Sequence, residues 1–395
     1  MKWKRRAHEF DGEFEIYKKQ RLLSKEVYIF GAGEIGKTFS SIVNRFGRLN
    51  GFIDNDGRKQ GTMYCGFSVI SLQKYLDKKA YENSIILLCL KESYSKEVKK
   101  QLEEYGLVEN EVFFTKDEYE KRLRIVLFFE RNILYLPLAQ ISLTERCTLR
   151  CKKCAHACNL VSPQKADLTL KEAMESADFF FKYVDYIDEF VLIGGEPLLY
   201  LQLPKIADYI GENYRKRIGI FSITTNGTIL PNEELLSVCN IHNMLFRVSN
   251  YEESIPRMKE RLDAFRAKVE SQGVACVIGK PGMDWTDYGF DYVDRKATPE
   301  ELEKVFDACR TSCHEVRKNR FYFCVMARSV AENMNRDIGA DDFFDFSMVD
   351  EGTGKKEFFE YTMGYSEKGY LDMCNYCHGI DRMKYPILAG EQMRY

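Results

Sequence analysis

Two hydrophobic periods alternate along most of this chain. Short runs rich in β-branched and aromatic residues are followed by longer stretches in which apolar residues recur every three or four positions. These are the patterns of buried strands and amphipathic helices. Residues 1–24 are charged and predict a helical or partly ordered lead-in. Residues 27–30, 49–56, 84–90 and 112–114 then read as strands, and 71–79 and 96–105 as helices. Such alternation builds a parallel sheet, so residues 25–115 are expected to form one small domain. Residues 116–137 read as a connector, charged at first and then rich in aromatics.

The alternation resumes at Pro137. Strands are expected at 138–144, 189–193, 218–225, 244–249 and 274–278, and helices at 168–184, 203–214, 231–239 and 256–272. This predicts a partial (β/α)6 barrel over 138–300, open on one side to large substrates. Beyond it, a helix over 298–311, a strand at 321–324 and a helix over 325–334 predict a smaller unit, 301–395. The acidic, aromatic run 341–346 is expected to be a partly buried helix face. The fold class is therefore α/β: an N-terminal Rossmann-like parallel sheet, a partial (β/α)6 barrel and a small C-terminal α+β extension.

Composition narrows the function. The 395 residues suffice for two or three domains. A net charge of −2 gives no general attraction to nucleic acid or anionic membrane. The longest apolar run, residues 85–90, is far too short to span a bilayer, and the first residues carry no apolar secretion segment; a cytoplasmic location is expected. Of 13 cysteines, three cluster near the middle and five lie beyond residue 308. Without a secretion signal, that distribution points to metal rather than disulfides.

The central three are Cys147, Cys151 and Cys154, spaced CxxxCxxC after the 138–144 strand. Thiolates at such spacing suit zinc or an iron–sulfur cluster. Three of them can hold three irons of a [4Fe–4S] cluster and leave the fourth open for chemistry. The alternatives are a zinc knuckle, or reduced cysteines that merely fall close together. Three more motifs follow, each at the end of an expected strand: Gly194-Gly195-Glu196-Pro197, Thr224-Thr225-Asn226-Gly227 and Arg247-Val248-Ser249-Asn250-Tyr251. The glycines allow close approach of backbone, and Glu196 offers a carboxylate suited to an ammonium group.

From about Leu138 onward these motifs and their order resemble the radical S-adenosylmethionine (radical SAM) enzymes. The resemblance implies that Cys147, Cys151 and Cys154 are cluster ligands and catalytic. The open iron would bind S-adenosylmethionine, whose reductive cleavage yields a 5′-deoxyadenosyl radical that abstracts hydrogen from a substrate. Gly194, Gly195, Glu196, Pro197, Asn226, Ser249 and Asn250 would bind the cofactor, with Ser249 and Asn250 at its ribose or carboxylate. A surface carboxylate for Glu196, and helix caps for Asn226 and Ser249, are the structural alternatives. Lys153 stands where many members carry an aromatic. His156 reads as a hydrogen-bonding loop residue and Cys158 as a buried small one. Trp285 and Tyr288 are candidates either to stack on a sugar or on adenine, or to form the core of a lid.

The later cysteines resemble the family's SPASM and twitch extensions, which implies one auxiliary [4Fe–4S] cluster on Cys313, Cys324, Cys374 and Cys377. Asn319 stands where those extensions have glycine. Cys309 is the alternative to Cys313, and a structural zinc site the alternative to the cluster. In the N-terminal domain, Gly31, Gly33 and Gly36 form a GxGxxG turn between strand and helix, with Asp54 about twenty residues on. It resembles Rossmann-like domains attached to bacterial sugar-modifying and capsule-biosynthesis enzymes. A nucleotide at this loop, with Asp54 on its ribose, is one reading; plain strand–turn–helix packing, with Asp54 capping a turn, is the other.

The function expected is a radical SAM oxidoreductase or epimerase acting on a sugar, nucleotide-sugar or aminocyclitol. A flavodoxin or ferredoxin would be the electron donor, and neither nucleic acid nor membrane would be a partner. Oxidation needs an electron acceptor, which the second cluster would be. Epimerisation needs a thiol hydrogen donor, for which Cys158 and Cys239 are candidates. A peptide-modifying maturase is the second reading, although the GxGxxG region does not resemble the winged-helix leader-binding domain such enzymes commonly carry. The third is a non-catalytic nucleotide-sugar-binding protein, against which the intact cysteine and GGEP motifs argue.

Overall fold

The structure is a computed structural model that describes residues 9–162, 164–282, 284–289, 293–309, 311, 313–350, 352–364, 368–378 and 385–393. One compact unit ends at Ile133 and a second begins at Leu134. Among the described residues no helix is long and apolar enough to cross a membrane.

The first unit runs α1 (Glu9–Lys18), β1 (Glu26–Phe30), α2 (Glu34–Phe46), β2 (Arg48–Ile53), β3 (Met63–Tyr64), β4 (Phe67–Ile70), α3 (Leu72–Asp77), β5 (Ser84–Leu88), α4 (Glu92–Glu104), β6 (Phe113–Thr115) and α5 (Lys116–Arg131). Its sheet has the order β3-β4-β2-β1-β5-β6. Every pair is parallel except the β3–β4 hairpin. All five residues of β5 are buried, as expected of a strand covered on both faces.

Two features depart from the sequence reading. The hairpin turns at Cys65 and Gly66, both with positive φ, and delivers β4 as an extra parallel partner of β2. The stretch expected to be a connector is instead the 16-residue helix α5, started by the Thr115 hydroxyl accepting the Glu118 amide. Its last turns bury Leu123 through Phe128 without interruption, which erases the helical period that would have announced it.

The second unit continues with β7 (Tyr135–Ser142), α6 (Leu170–Tyr183), β8 (Tyr186–Ile193), α7 (Leu203–Tyr214), β9 (Ile218–Thr225), α8 (Glu233–Ile241), β10 (Met244–Val248), α9 (Met258–Ser271), β11 (Ala275–Ile278), β12 (Asp284–Thr286), α10 (Pro299–Asp307), β13 (Glu315–Arg317), β14 (Arg320–Tyr322), α11 (Val325–Asn333), β15 (Phe344–Asp345), α12 (Gly354–Thr362) and β16 (Pro386–Leu388). One open sheet has the order β11-β10-β9-β8-β7-β13-β14-β15. Strands β7 to β11 are parallel neighbours. The sixth parallel strand of this partial barrel, β13, comes from beyond residue 300 and joins the free edge of β7. Strands β14 and β15 then extend the sheet antiparallel. The run 341–346 is therefore not a helix face. Asp342 accepts the Gly339 amide in a short turn, and Phe344 pairs with Phe321 in the sheet. Phe344 and Phe346 both pack on the Phe358 ring, which favours an extended run over a helix.

The glycine turn of the first unit is set by steric limits. A Cβ on Gly36 would sit 2.1 Å from the Gly31 carbonyl oxygen, a backbone atom with no side-chain freedom to yield. Gly36→Ala is expected to lower stability by about 1–3 kcal/mol, the usual cost of overpacking. Thermal unfolding checks this; an unchanged Tm would show that the loop relaxes freely.

Candidate active site

The loop carrying Cys147, Cys151 and Cys154 leaves the C-terminal end of β7, where parallel α/β folds place their sites. The three thiols share a cleft with Gly194, Gly195, Asn226 and Ser249, which lie at or just past the ends of β8, β9 and β10. A Cβ on Gly194 would stand 2.4 Å from the Thr144 carbonyl oxygen, and one on Gly195 2.3 Å from that of Arg146. Glycine is thus required because the cysteine loop itself lies against the end of β8. Two hydrogen bonds fix that approach: Gly195 N–H to Thr144 O at 2.8 Å and Glu196 N–H to Arg146 O at 2.9 Å.

Each central thiol has its own donor. Cys147 Sγ accepts the Leu149 amide at 3.5 Å and the Asn226 side-chain amide at 3.6 Å. Cys151 Sγ accepts the Gln392 amide at 3.3 Å. The Cys158 thiol reaches the His156 carbonyl at 3.7 Å, and hydrogen bonding from Cys158 and His156 lowers the Cys154 pKa. Burial pushes Cys147 up to about 12 and Cys151 up to about 11. Three half-buried or buried thiols held by weak donors around one cleft fit an iron–sulfur cluster, whose positive irons would replace the protons.

The other expected residues divide into those that line the cleft and those that support it. Ser249 lines it. Glu196 does not face it as an ammonium ligand would: it is fully buried, and accepts Thr225 Oγ1 at 2.7 Å, Asn226 N at 2.9 Å and Leu198 N at 3.1 Å. Burial raises its pKa against these three donors. Its structural work is to tie the loop after β8 to the end of β9. Pro197 opens the turn behind it. Asn250 accepts the Glu252 amide at 3.0 Å and so caps its own turn. Lys153, in a left-handed conformation, lines the cleft and pairs with Asp287 at 3.0 Å. Beside this pair Trp285 meets Tyr251 edge to face, with ring centres 5.3 Å apart.

Residues 141–240 match the family model of the radical SAM superfamily. This part of the chain is a radical SAM domain. Residues 23–113 match a separate model described as C2185-like, N-terminal. The chain is 39% identical over 102 residues to molybdenum cofactor biosynthesis protein 1 of Bos taurus, covering 25% of this chain and 15% of that protein. It is 34% identical over 100 residues to a GTP 3′,8-cyclase of Syntrophomonas wolfei, covering 25% of this chain and 29% of that one. The chain therefore spans less than a third of the length of either relative. Among solved structures, Streptococcus suis SuiB bound to precursor peptide SuiA aligns over 49% of this chain and 46% of its own, at 16% identity and a TM-score of 0.32.

Next to the radical SAM cleft lies a second, smaller cavity, lined by Cys309, Cys313, Cys324, Cys374 and Cys377 among others. Ala155, His156 and Tyr288 line both cavities and so form a shared wall. Burial pushes the Cys324 and Cys374 thiols up. Cys324 feels Cys309 and Cys377, and Cys374 feels Cys324, Cys377 and Cys309. Cys313 is exposed, and its electrostatic neighbour is Glu315. Both Cys309 and Cys313 lie past the end of α10 rather than on one helical turn. All five thiols line this one cavity, and the electrostatic influence on Cys324 and Cys374 comes from Cys309 and Cys377 among them. Among the described residues, no three histidine, cysteine or acidic side chains are already gathered into a single-ion shell.

In the N-terminal domain, Asp54 turns inward. Its carboxylate accepts the Ala32 amide inside the glycine turn at 2.9 Å and the Asp56 amide at 2.9 Å, and pairs with Lys59 at 2.9 Å. Asp54 therefore closes the Gly31–Gly36 turn on itself rather than pointing at a ribose. Gly31 has φ 115° and a Cβ there would meet the Cys89 carbonyl oxygen at 2.7 Å, whereas nothing lies within 4 Å of a Cβ on Gly33.

A buried charge network, invisible in the sequence, supports the shared wall. Arg328 is fully buried on α11. It reaches Glu145 at 2.6 Å, Glu315 at 2.9 Å, Ser142 at 3.2 Å and His156 Nδ1 at 2.8 Å. Arginine only donates, so His156 Nδ1 accepts and its proton sits on Nε2. Burial and then Arg328 push the His156 pKa down to about 4, leaving the ring neutral. Arg317 adds a second contact to Glu145 at 3.1 Å. Arg328→Met would leave Glu315 and much of Glu145 as buried carboxylates without their cation. The expected cost is about 3–5 kcal/mol, read by chemical denaturation; a loss under about 1 kcal/mol would mean that the carboxylates simply take up protons.

Proposed function

We propose that this chain holds a [4Fe–4S] cluster on Cys147, Cys151 and Cys154, binds S-adenosylmethionine in the adjoining cleft, and abstracts hydrogen from an organic substrate. The supporting observation is the convergence of those three thiols with Gly194, Gly195, Asn226 and Ser249 on one cleft. When bound, the cluster supplies the electron that cleaves S-adenosylmethionine, and the resulting 5′-deoxyadenosyl radical takes hydrogen from the substrate. The chain's own groups orient and shield. Asn226 ties the cysteine loop to the end of β9 through Cys147 and, at 3.0 Å, Thr148. Ser249 offers a hydroxyl to the cofactor at the mouth. Tyr251 and Trp285 wall off water near the thiols.

A hydroxyl-rich sugar, nucleotide-sugar or aminocyclitol is the substrate class favoured here. Thr224, Ser249 and Lys153 line the cleft, and their hydroxyls and ammonium suit such groups. The relatives named GTP 3′,8-cyclase act, by that name, on a nucleotide. The nucleotide reading of the N-terminal domain is weaker, because Asp54 already occupies the Ala32 amide. That domain is a mostly parallel sheet rather than a winged helix, which counts against peptide maturation.

Oxidation is preferred to epimerisation. An alcohol that has lost a hydrogen atom must still lose an electron and a proton to become a carbonyl. Cys309, Cys324, Cys374 and Cys377 would hold an auxiliary [4Fe–4S] cluster behind the shared wall, in place to accept that electron. A flavodoxin or ferredoxin would supply the first one. Of the two candidate hydrogen-donor thiols, Cys158 lines the cleft but is engaged in hydrogen bonding within its own loop, and Cys239 is buried on α8.

Iron and sulfide content after anaerobic reconstitution tests this. Wild type is expected to hold about eight irons, and the Cys147/Cys151/Cys154→Ala variant about four. Cys309→Ala should lose iron from the second site while Cys313→Ala retains it. About four irons falling to none in the triple variant would remove the auxiliary cluster and the oxidation with it. Iron unaffected by the triple variant would remove the radical reading altogether.

A further inference from the structure

We infer that Gln392 is a positioning residue for the radical SAM cluster, donating a side-chain hydrogen bond to the Cys151 thiolate that raises the potential at which the cluster accepts an electron. The inference rests on the cluster reading above. It concerns a residue 241 positions from the thiol it meets, outside every motif of the sequence.

The orientation of the amide is settled by its partners. Gln392 Oε1 accepts the backbone N–H of Arg150 at 2.8 Å, a group that can only donate. Its Nε2 donates to the Gly390 carbonyl at 2.6 Å, a group that can only accept. The flipped amide would fail both contacts. What remains of the amide points at Cys151 Sγ, 3.3 Å from Nε2. The amide therefore makes three contacts, only one of which is to the thiol.

The backbone around it is pinned to the cluster loop. Cys151 and Gln392 form an antiparallel bridge. Lys152 N–H donates to Glu391 O at 2.6 Å, and Met393 N–H to Arg150 O at 2.9 Å. On its other side β16 pairs with β12, and the Ser254 hydroxyl holds the Ala389 carbonyl. Gly390 lies under Tyr251: a Cβ there would come within 2.6 Å of the ring. Residues 386–393 thus form a strap across the cysteine loop, and Gln392 is its contact with sulfur.

A donor on a ligand sulfur offsets negative charge. A cluster grows more negative when it gains an electron, so the donor stabilises the reduced form more than the oxidised one. Cys147 and Cys154 take their donors from the loop itself and from Asn226. Cys151 takes its side-chain donor from the strap, so the strap sets how readily an external donor of fixed potential reduces the cluster.

The test is an electron paramagnetic resonance redox titration of the reconstituted full chain, following the signal that changes on adding S-adenosylmethionine. Gln392→Leu removes the donor; Gln392→Glu keeps the Arg150 contact but places a carboxylate oxygen beside the sulfur. Both are expected to retain iron and to show a more negative midpoint, the shift being larger for Gln392→Glu. An unchanged midpoint in an iron-replete variant overturns the inference. Loss of iron from both variants also overturns it, leaving the strap a purely structural clasp. A wild type with no signal responsive to S-adenosylmethionine would instead sink the cluster reading, and is distinguishable from either result.

Discussion

Backbone packed against backbone, with no room for a single extra carbon, is the constraint on which this site depends. The loop at residues 144–146 lies against Gly194 and Gly195 so closely that a Cβ on either would fall within 2.4 Å of a carbonyl oxygen. That approach sets where the chain leaving β7 can go, and so where Cys147, Cys151 and Cys154 present their sulfurs. Glu196 then carries the constraint sideways. Its buried carboxylate binds the end of β9, from which Asn226 reaches back to Cys147. Three strand ends become one rigid rim, which a cluster needs if its open position is to face a substrate at a fixed distance.

The second organising device is electrostatic. Arg328 collects β7, the cysteine loop and β13 around one buried cation. Buried ion pairs of this kind are poor contributors to net stability compared with apolar packing, but a broken one is costly. Their value here is geometric. Arg328 fixes the His156 tautomer and, with Asn333 on the His156 carbonyl, holds the wall between the two cysteine-lined cavities. The residues beyond 300 are consequently part of the same sheet and the same polar core as the radical SAM domain. β13 completes the parallel strands at the β7 edge.

Legibility in the sequence followed burial pattern. Strand β9 and helix α7 lie at the residues their periodicity indicates, because each has a regular pattern bounded by clear punctuation. Helix α5 was hidden by its continuous buried run, and β4 and β15 by their length of four and two residues. Short strands take their identity from a partner strand, which local sequence does not display. The glycines of both motifs were legible as close approaches, but what approaches them was not: at Gly36 it is Gly31, and at Gly195 it is the cysteine loop.

By itself the sequence determined the chemistry that is local: the CxxxCxxC triad, the order of strand-end motifs after it, and the alternation that builds an α/β chain. Spacing along one loop is enough to bring three thiols together, so no long-range information was needed. Tertiary structure alone decided everything that couples distant segments. It gathered Cys309, Cys313, Cys324, Cys374 and Cys377 around one cavity, turned Glu196 and Asp54 inward to brace their own loops, and laid Gln392 across Cys151. A carboxylate or an amide carries no mark of the partner it will find. That partner is chosen by packing, which brings together residues as much as 241 positions apart and leaves buried polar atoms no option but to bond where they meet.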